Sequence, residues 1–366
     1  MYLKLWSLPA GEALFEGQSN WVQVETYPAY RIAEPELESA SLQLREALGE
    51  SLSKEVGKRS RVLKLLRAIM ERHIEEIQSL NPTAIYIGSA RGELEELSRA
   101  VERHLRGEKL SPLTSPETSM GTLSSMVARR LGIGGPAVTI SQTCLSGLLA
   151  LYEASLFIRA GEGETVLFGA VEAPLAPFFV EAMAALRLYT RAGVYPFTRP
   201  GNPERANTFA LGEGVALGVV AKKRISPYRL IQIRSRTAKV SSHIAYTAVD
   251  QASLIDFLSE MGSAPDFVIL HAPGTRQGDA AEWEAIARLW GEIPVLSIKS
   301  FIGHSLGAAP LLGLAAALYL MEQKRWYSSP WATLWPSIPP SKWEEAIVIG
   351  LGYGGVMGAI RIAHES

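Results

Sequence analysis

The chain has 366 residues, of which 47% are hydrophobic and 20% charged, and its formal net charge at pH 7 is -1. This length can bury a large core and suggests two domains or one duplicated unit. The near-neutral charge argues against a nucleic-acid-binding protein that relies on bulk positive charge. Its single cysteine cannot form an internal disulfide, so nothing in the composition points to an oxidising compartment.

The first part of the chain is strongly charged. Residues 1–17 lack a sustained apolar core behind basic residues, so we expect no secretory signal. Residues 34–80 combine many charges with helical spacing of Leu, Val and Ile, which predicts two surface helices. The basic side chains of this stretch are interpreted as a solvated helix face: Lys54, Lys58, Arg59, Arg61, Lys64 and Arg67.

Cys144 lies between a predicted strand and a predicted helix. Residues 138–140 before it are β-branched and predict a buried strand, and residues 148–159 predict a largely apolar helix. At the N-terminus of that helix, unpaired amides favour the thiolate, which is the nucleophilic form of the side chain. The alternative is an inert buried cysteine, the commoner fate of a lone cysteine.

The order of predicted elements around Cys144 occurs a second time along the chain. Residues 295–298 form an apolar strand that leads through a polar loop into an apolar helix at residues 306–321. Each half then ends with a Gly-rich turn and a strand, with the turns at residues 212–214 and 352–355. The alternative is chance similarity between apolar strands and helices.

A true repeat predicts two α/β halves whose helix-leading loops meet at one site. We place the halves at residues 1–225 and 226–366, with a basic crossover segment at residues 223–235.

Residues 305–321 carry no charge and contain Pro310. This stretch is short for a membrane span, so we expect a buried core helix and no membrane association.

Two of the six histidines differ from the others in their context. His271 and His304 each follow an apolar strand and open a Gly-containing loop, where α/β proteins place reacting groups. Taken singly, either could be structural. His73, His104 and His364 are expected at the surface, and His243 is ambiguous.

Together with Cys144, these histidines match a known pattern. The chain resembles the β-ketoacyl synthases of the thiolase superfamily, which are decarboxylating condensing enzymes. The resemblance runs from about residue 111 to the end through motifs in a consistent order: the nucleophile motif at residues 141–147, Pro196-Phe197, Phe-x-x-Gly-Glu-Gly at residues 209–214, the first histidine motif at residues 271–279, Lys-Ser-x-x-Gly-His-x-x-Gly-Ala-Ala at residues 299–309, and Gly-aromatic-Gly-Gly at residues 352–355.

The resemblance implies an α/β fold, a five-layered α-β-α-β-α sandwich built from two duplicated, thiolase-like halves and usually dimeric. It also implies roles for single residues. Cys144 would carry the acyl group, with His271 and His304 stabilising an enolate and Lys299 orienting the site. Oxyanion binding or gating would fall to Tyr353 and Gly354, and support of the network and of the pantetheine arm to Glu282, Thr275, Asp279 and Phe197.

The implied function is decarboxylative condensation of a Cys-bound acyl group with a malonyl-carrier-protein thioester, in fatty acid or polyketide biosynthesis. No metal or other cofactor is expected, and the expected partners are an acyl carrier protein and a second, ketosynthase-like subunit of a homodimer or heterodimer. We expect a cytoplasmic protein.

The single cysteine separates the chain from thiolases that use a second cysteine, and His304 separates it from chain-initiating synthases, which have asparagine at that position. A chain-length-factor-like partner subunit with little activity of its own is the alternative function. A ketosynthase with thioesterase-like or acyltransferase activity is a third.

Several residues depart from the family pattern. Pro273 stands where a pantetheine-contacting threonine is usual, Tyr353 replaces a phenylalanine, and the first hundred residues match poorly. These departures concern substrate and carrier choice. The acidic carrier protein is expected to dock on Arg106, Lys109 and Arg205, and the acyl tunnel is expected to include Phe178, Phe179, Met183 and Phe197.

Overall fold

The computed structural model describes residues 1–15, 21–24, 26–34, 60–190, 207–238, 250–327 and 338–365. The strands of this part are β1 (Tyr2–Leu8), β2 (Trp21–Val24), β3 (Tyr27–Tyr30), β4 (Ile85–Gly88), β5 (Ala137–Ile140), β6 (Thr165–Glu172), β7 (Gly214–Ala221), β8 (Tyr228–Thr237), β9 (Phe267–Ile269), β10 (Val295–Leu296), β11 (Glu345–Gly352) and β12 (Val356–His364). The helices are α1 (Arg61–Arg72), α2 (Ile74–Ser79), α3 (Leu94–Leu105), α4 (Thr114–Glu117), α5 (Thr122–Leu131), α6 (Ser146–Arg159), α7 (Pro177–Ala184), α8 (Gln251–Ser259), α9 (Arg276–Trp290), α10 (Lys299–Ile302) and α11 (Ala309–Gln323).

The main sheet consists of two sets of five strands with the same internal order. Its full order is β10-β9-β11-β12-β8-β1-β7-β6-β4-β5, and Tyr2 of β1 pairs with Arg229 of β8 where the sets join. In each set, counted from the outer strand inwards, the first two pairings between neighbouring strands are parallel and the next two are antiparallel. The prediction of two similar α/β halves is therefore confirmed. The proposed boundary at residues 225 and 226 falls between β7 and β8 and stays a prediction.

The helices α6 and α11 occupy equivalent places in the two halves and contact each other at the centre of the molecule. Each also contacts strands of both halves, so the pair lies between the two sets of strands. The window Leu306–Gln323 is apolar and long enough to cross a membrane, but 83% of it is buried inside the fold. The continuous apolar surface of α11 is explained by this central position, since every side of the helix meets protein.

Two features of the first part of the chain differ from the expectations. The opening residues form β1, which the sequence did not indicate and which pairs with β7 along its whole length. The helix α1 is a core helix, so the surface prediction is wrong for it: Val62, Leu65 and Leu66 are at most 2% exposed. Lys54, Lys58 and Arg59 lie outside the described residues.

Arg61 shows why the charge pattern was misleading. Its guanidinium group is 6% exposed and donates hydrogen bonds to both carboxylate oxygens of Glu213, at 2.7–3.2 Å, and to the Ile32 carbonyl. A buried cation that is paired and hydrogen-bonded in this way can lie in a core. The partners of Arg61 are distant in sequence, so a local pattern cannot show them.

Candidate active site

A sharp turn between β5 and α6 carries Cys144. Thr143, immediately before it, has φ +47°, a left-handed conformation that is uncommon for threonine. The Ser146 hydroxyl accepts a hydrogen bond from the Gln142 amide at 2.9 Å and donates one to the Thr143 carbonyl at 2.8 Å. These two bonds close the turn, so Ser146 fixes Cys144 at the head of α6.

The thiol of Cys144 lies in a nearly dry environment. Cys144 is 6% exposed and forms no disulfide. Burial raises the pKa of the thiol to about 12, against an opposing effect of the positive charge of Lys299. The helix N-terminus favours the thiolate, but desolvation opposes it, and with a pKa of about 12 the sulfur keeps its proton at neutral pH.

Backbone contacts with the first half of the chain hold His304 in place. The His304 amide donates to the Ala210 carbonyl at 2.7 Å, and the Gly212 amide donates to the His304 carbonyl at 3.1 Å. A Cβ atom at Gly212 would overlap the Ile302 carbonyl oxygen, and one at Gly303 would lie 2.6 Å from the Leu211 carbonyl oxygen. The two glycines are therefore required, because here the two halves touch through their backbones.

The imidazole rings of His271 and His304 lie side by side. Their centroids are 5.1 Å apart and their planes meet at 82°. Burial and the charge of Lys299 lower both pKa values well below the usual range of histidine, so both rings are neutral. Neither ring nitrogen of His304 has a hydrogen-bond partner within the part of the chain that the structure describes. The ring can therefore donate one hydrogen bond and accept one from a ligand.

Two carboxylates of α9 shape the loop that carries His271. Glu282 accepts hydrogen bonds from the amides of His271 and Ala272, at 2.7 and 2.8 Å. Asp279 accepts from the amides of Gly274 and Thr275, both at 3.1 Å. The predicted support by Glu282 thus reaches the backbone of His271, and Asp279 fixes Thr275 at the start of α9.

Lys299 is a buried cation of the site. It is 3% exposed, and burial lowers the pKa of its ammonium group to about 8. The negative charges of Glu282, Cys144 and Asp279 would act in the opposite direction. Burial likewise raises the pKa of Glu282 to about 7. Among the carboxylates, Glu282 therefore acts most strongly on Lys299, with Asp279 contributing less.

Cys144, His271 and His304 line one pocket of about 490 Å³. Its wall includes residues that the sequence singled out: Met183, Pro273, Thr275, Glu282 and Tyr353. It also includes leucines that the sequence did not single out: Leu188, Leu254, Leu306 and Leu351. The three residues whose convergence the sequence predicted thus share one cavity. A larger groove of about 1520 Å³ is lined by residues such as Trp6, His73 and Tyr319 and by none of these three.

The Gly-rich turn of the second half packs against the nucleophile turn. It joins β11 to β12 at residues 353–355, and Gly354 has φ +84°. A Cβ atom at Gly352 would overlap the Thr143 hydroxyl and would lie 3.8 Å from the Cys144 amide nitrogen. This contact brings the backbone at Tyr353 to the side of Cys144.

The remaining predicted residues fall into three groups. Met183 lines the pocket, whereas Phe179 does not line it but shares a hydrophobic cluster with Cys144, and Phe178 is 54% exposed and does not line it. Arg106 and Lys109 are exposed beyond α3, and Arg106 pairs with Glu108 at 3.1 Å. Phe197 and Arg205 lie outside the described residues, as does His243.

Glu172 is a residue near the site that sequence reasoning missed. It ends β6, is fully buried, and acts electrostatically on the Cys144 thiol. The available signal was an acidic residue directly after the apolar run of residues 166–171, because a carboxylate in that position needs partners.

Comparison with known proteins gives matches over most of the chain. A model described as the β-ketoacyl synthase N-terminal domain matches residues 64–224, and one for the C-terminal domain matches residues 236–330. The ketoacyl synthase alpha subunit of the tetracenomycin polyketide synthase of Streptomyces glaucescens is 32% identical over 54% of this chain and 50% of its own length. The chloroplastic 3-oxoacyl-[acyl-carrier-protein] synthase I of Hordeum vulgare is 29% identical over 62% of this chain and 53% of its own.

The chain spans between 50% and 66% of the length of four of the curated relatives that it matches. Among solved structures, the ishigamide ketosynthase/chain length factor has a TM-score of 0.79 at 18% identity, over 100% of this chain and 98% of that one. A ketosynthase in complex with its chain length factor from Xenorhabdus doucetiae has a TM-score of 0.72 at 19% identity, over 83% and 82% of the two chains. The predicted thiolase-like fold is thereby confirmed.

Proposed function

We propose, since the chain belongs to the β-ketoacyl synthase family of the thiolase superfamily, that it condenses a Cys-bound acyl group with a malonyl thioester on a carrier protein. The observation that carries this proposal is the shared cavity of one thiol and two neutral imidazoles. This set supplies a nucleophile together with hydrogen-bond donors for an oxyanion, which are the two requirements of acyl chemistry.

In the first step, the Cys144 sulfur attacks the carbonyl carbon of an acyl thioester. The carbon–sulfur bond to the pantetheine arm breaks, and the proton of the thiol ends on the departing pantetheine sulfur. The thiol is protonated at rest because it is buried, so its proton leaves as the new bond forms. The amides of Cys144 and Tyr353, which flank the contact between the two turns, would hold the oxyanion.

In the second step, a malonyl thioester loses CO2. The electron pair of the broken bond moves into an enolate, whose oxygen accepts hydrogen bonds from His271 and His304. Neutral rings suit this role, because each can donate one N–H while a charged ring would protonate the enolate. The enolate carbon then attacks the acyl carbon, the bond to Cys144 breaks, and the released thiolate takes a proton from water.

The supporting residues act on these groups electrostatically and through the backbone. Lys299 adds to the burial that keeps the two imidazoles neutral, and it opposes the rise in the pKa of the thiol. Glu282 and Asp279 hold the loop that carries His271 and Thr275. The reaction needs no metal or cofactor beyond the carrier's phosphopantetheine. We assign carrier docking to the exposed side chains of Arg106 and Lys109, together with Arg205.

A partner subunit without activity is the second candidate function. The printed titles of two similar structures describe ketosynthases with chain length factors, and β5 forms an open edge of the sheet onto which another chain could pair. The presence of Cys144, His271 and His304 in one cavity favours the active enzyme, since a purely structural subunit has no need of them.

The test uses the purified chain, alone and mixed with a ketosynthase-like subunit, with acyl- and malonyl-loaded carrier proteins. Cys144→Ala should show no acyl adduct by intact-protein mass spectrometry. His304→Ala should still be acylated at Cys144 but should release CO2 from malonyl carrier at least about 100-fold more slowly, because an oxyanion donor is lost. His104→Ala, which removes an exposed histidine of α3, is the control and should match the parent.

An adduct on Cys144→Ala equal to that on the parent contradicts the assignment of Cys144 as the nucleophile. A parent that never releases CO2 supports the partner role.

A further inference from the structure

Glu172 has an unusual environment for a carboxyl group. It lies at the end of β6, is 0% exposed, and its Oε1 accepts hydrogen bonds from the amides of Ala90 and Gly307, the latter at 3.2 Å. The other oxygen, Oε2, has no hydrogen-bond partner among the residues that the structure describes. Burial raises the pKa of this carboxyl to about 8, against the opposing effects of the backbone amides and of the positive charge of Arg91, so the group is mostly neutral at pH 7.

The carboxyl of Glu172 lies where the histidine turn meets the nucleophile helix. Gly307 belongs to the short helical turn Leu306–Ala308, which begins two residues after His304. A Cβ atom at Gly307 would lie 2.7 Å from Glu172 Oε1 and 2.9 Å from Ser146 Cβ. The carboxyl, the histidine turn and the start of α6 are therefore in mutual contact, within two residues of Cys144.

We infer that Glu172 is a positioning residue that sets the distance between His304 and Cys144. The Glu172 side chain extends from β6 and accepts a hydrogen bond from the Gly307 amide. This bond keeps the backbone that follows His304 packed against the start of α6. The inference deepens the proposed function and depends on it, since the distance matters only if both groups act on one substrate. Misplacement by about 1 Å can cost about two orders of magnitude in rate.

The test separates the reach of the side chain from its charge. Glu172→Gln keeps the length and an oxygen that accepts both amide hydrogens, but cannot ionise. Glu172→Asp keeps the carboxyl but is shorter by one methylene. We expect Glu172→Gln to release CO2 from malonyl carrier within about threefold of the parent, and Glu172→Asp to have a kcat at least about tenfold lower with little change in KM.

Two further measurements keep the result interpretable. Melting temperatures show whether each variant is folded, and acylation of Cys144 by acyl carrier should stay within about threefold of the parent in both, because it does not need His304. If Glu172→Asp matches the parent, or if Glu172→Gln is impaired as much as Glu172→Asp, Glu172 does not act by its reach and the inference is overturned. Failure of the parent itself to release CO2 would instead count against the proposed function.

Discussion

Cys144, which we propose as the nucleophile, rests as a protonated thiol in a dry pocket, so its reaction would depend on neighbouring groups. Burial raises the pKa of Cys144 to about 12, and Lys299 is the main group that opposes this rise. Burial also holds both histidines neutral. The site therefore holds a protonated sulfur at neutral pH, and we expect this thiol to react slowly with oxidants and alkylating agents.

This protonation state predicts how Cys144 reacts with iodoacetamide. Only the thiolate reacts, and below a pKa of about 12 the thiolate fraction rises about tenfold per pH unit. The alkylation rate should therefore keep rising from pH 6 to pH 10 without levelling. Intact-protein mass spectrometry reads the rate cleanly, because the chain has one cysteine.

The control is the same chain in denaturant, where the thiol should have an ordinary pKa of about 8.5 and the rate should level above it. A folded protein whose rate levels at pH 7 to 8 would contradict the neutral thiol. It would mean that the helix N-terminus and Lys299 outweigh desolvation.

At the scale of elements, the site depends on a contact between a turn of one half and a turn of the other. Gly352 in the second half faces Thr143 in the first, and its missing side chain makes the contact possible. The same principle applies at Gly88, where a Cβ atom would overlap the Ser146 carbonyl group. The elements of the site are therefore held by shape as well as by hydrogen bonds.

The contact at Gly352 predicts the effect of a single methyl group. In Gly352→Ala, the new Cβ overlaps the Thr143 hydroxyl and meets Leu145 Cδ1 at 3.1 Å, so the nucleophile turn must move. We expect acylation of Cys144 to slow by at least about tenfold. Gly134→Ala is the matched control, since nothing lies within 4 Å of a Cβ atom there. Equal acylation rates for the two variants would show that the turn position is not important.

Local elements could be predicted where the local pattern decides them. The strand and helix around Cys144, and those around His304, were predicted because their apolar runs match the elements found there. The expectation that the strand before Cys144 is buried is wrong, because β5 ends the sheet and Val138 is 41% exposed. β1 could not be predicted, because it is specified by pairing with β7 more than 200 residues later. The burial of α1 was missed because the charge of Arg61 is neutralised by Glu213, which lies 152 residues further along the chain.

At the scale of the whole molecule, β5 forms an open edge of the sheet among the residues that the structure describes. This strand pairs with β4 on one side and ends the strand order on the other. Val138 in β5 is 41% exposed. An open edge strand with an apolar side chain is a ready surface for another chain, and it suits the ketosynthase-like partner that we propose.

The edge predicts the effect of one charged side chain on assembly. If the chain forms a dimer through β5, Val138→Lys should raise the dimer dissociation constant at least about tenfold, because a desolvated ammonium opposes pairing. Light scattering over a dilution series measures it. Val22→Lys, on β2 and 37% exposed in the parent, is the control. A Val138→Lys protein that keeps the parent's dimer, or a parent that stays a dimer only through another surface, contradicts this interface.

The meeting of Cys144, His271 and His304 in one cavity could be anticipated from the order of the motifs, but its geometry could not. Spacing along the chain does not show that Glu282 binds the backbone of the His271 loop. It also does not show that burial keeps the thiol protonated. Both depend on which surfaces exclude water, and that is decided by packing between distant segments.

The backbone contact between Gly212 and Gly303 has a consequence for engineering. Since neither position can accept a Cβ atom without overlap or close approach to a carbonyl, random libraries that include them will mostly yield inactive clones. New substrate ranges must come from the pocket wall, at Met183, Leu188 and Leu351. Saturation mutagenesis should therefore leave the two glycines unchanged and vary only residues of the pocket wall.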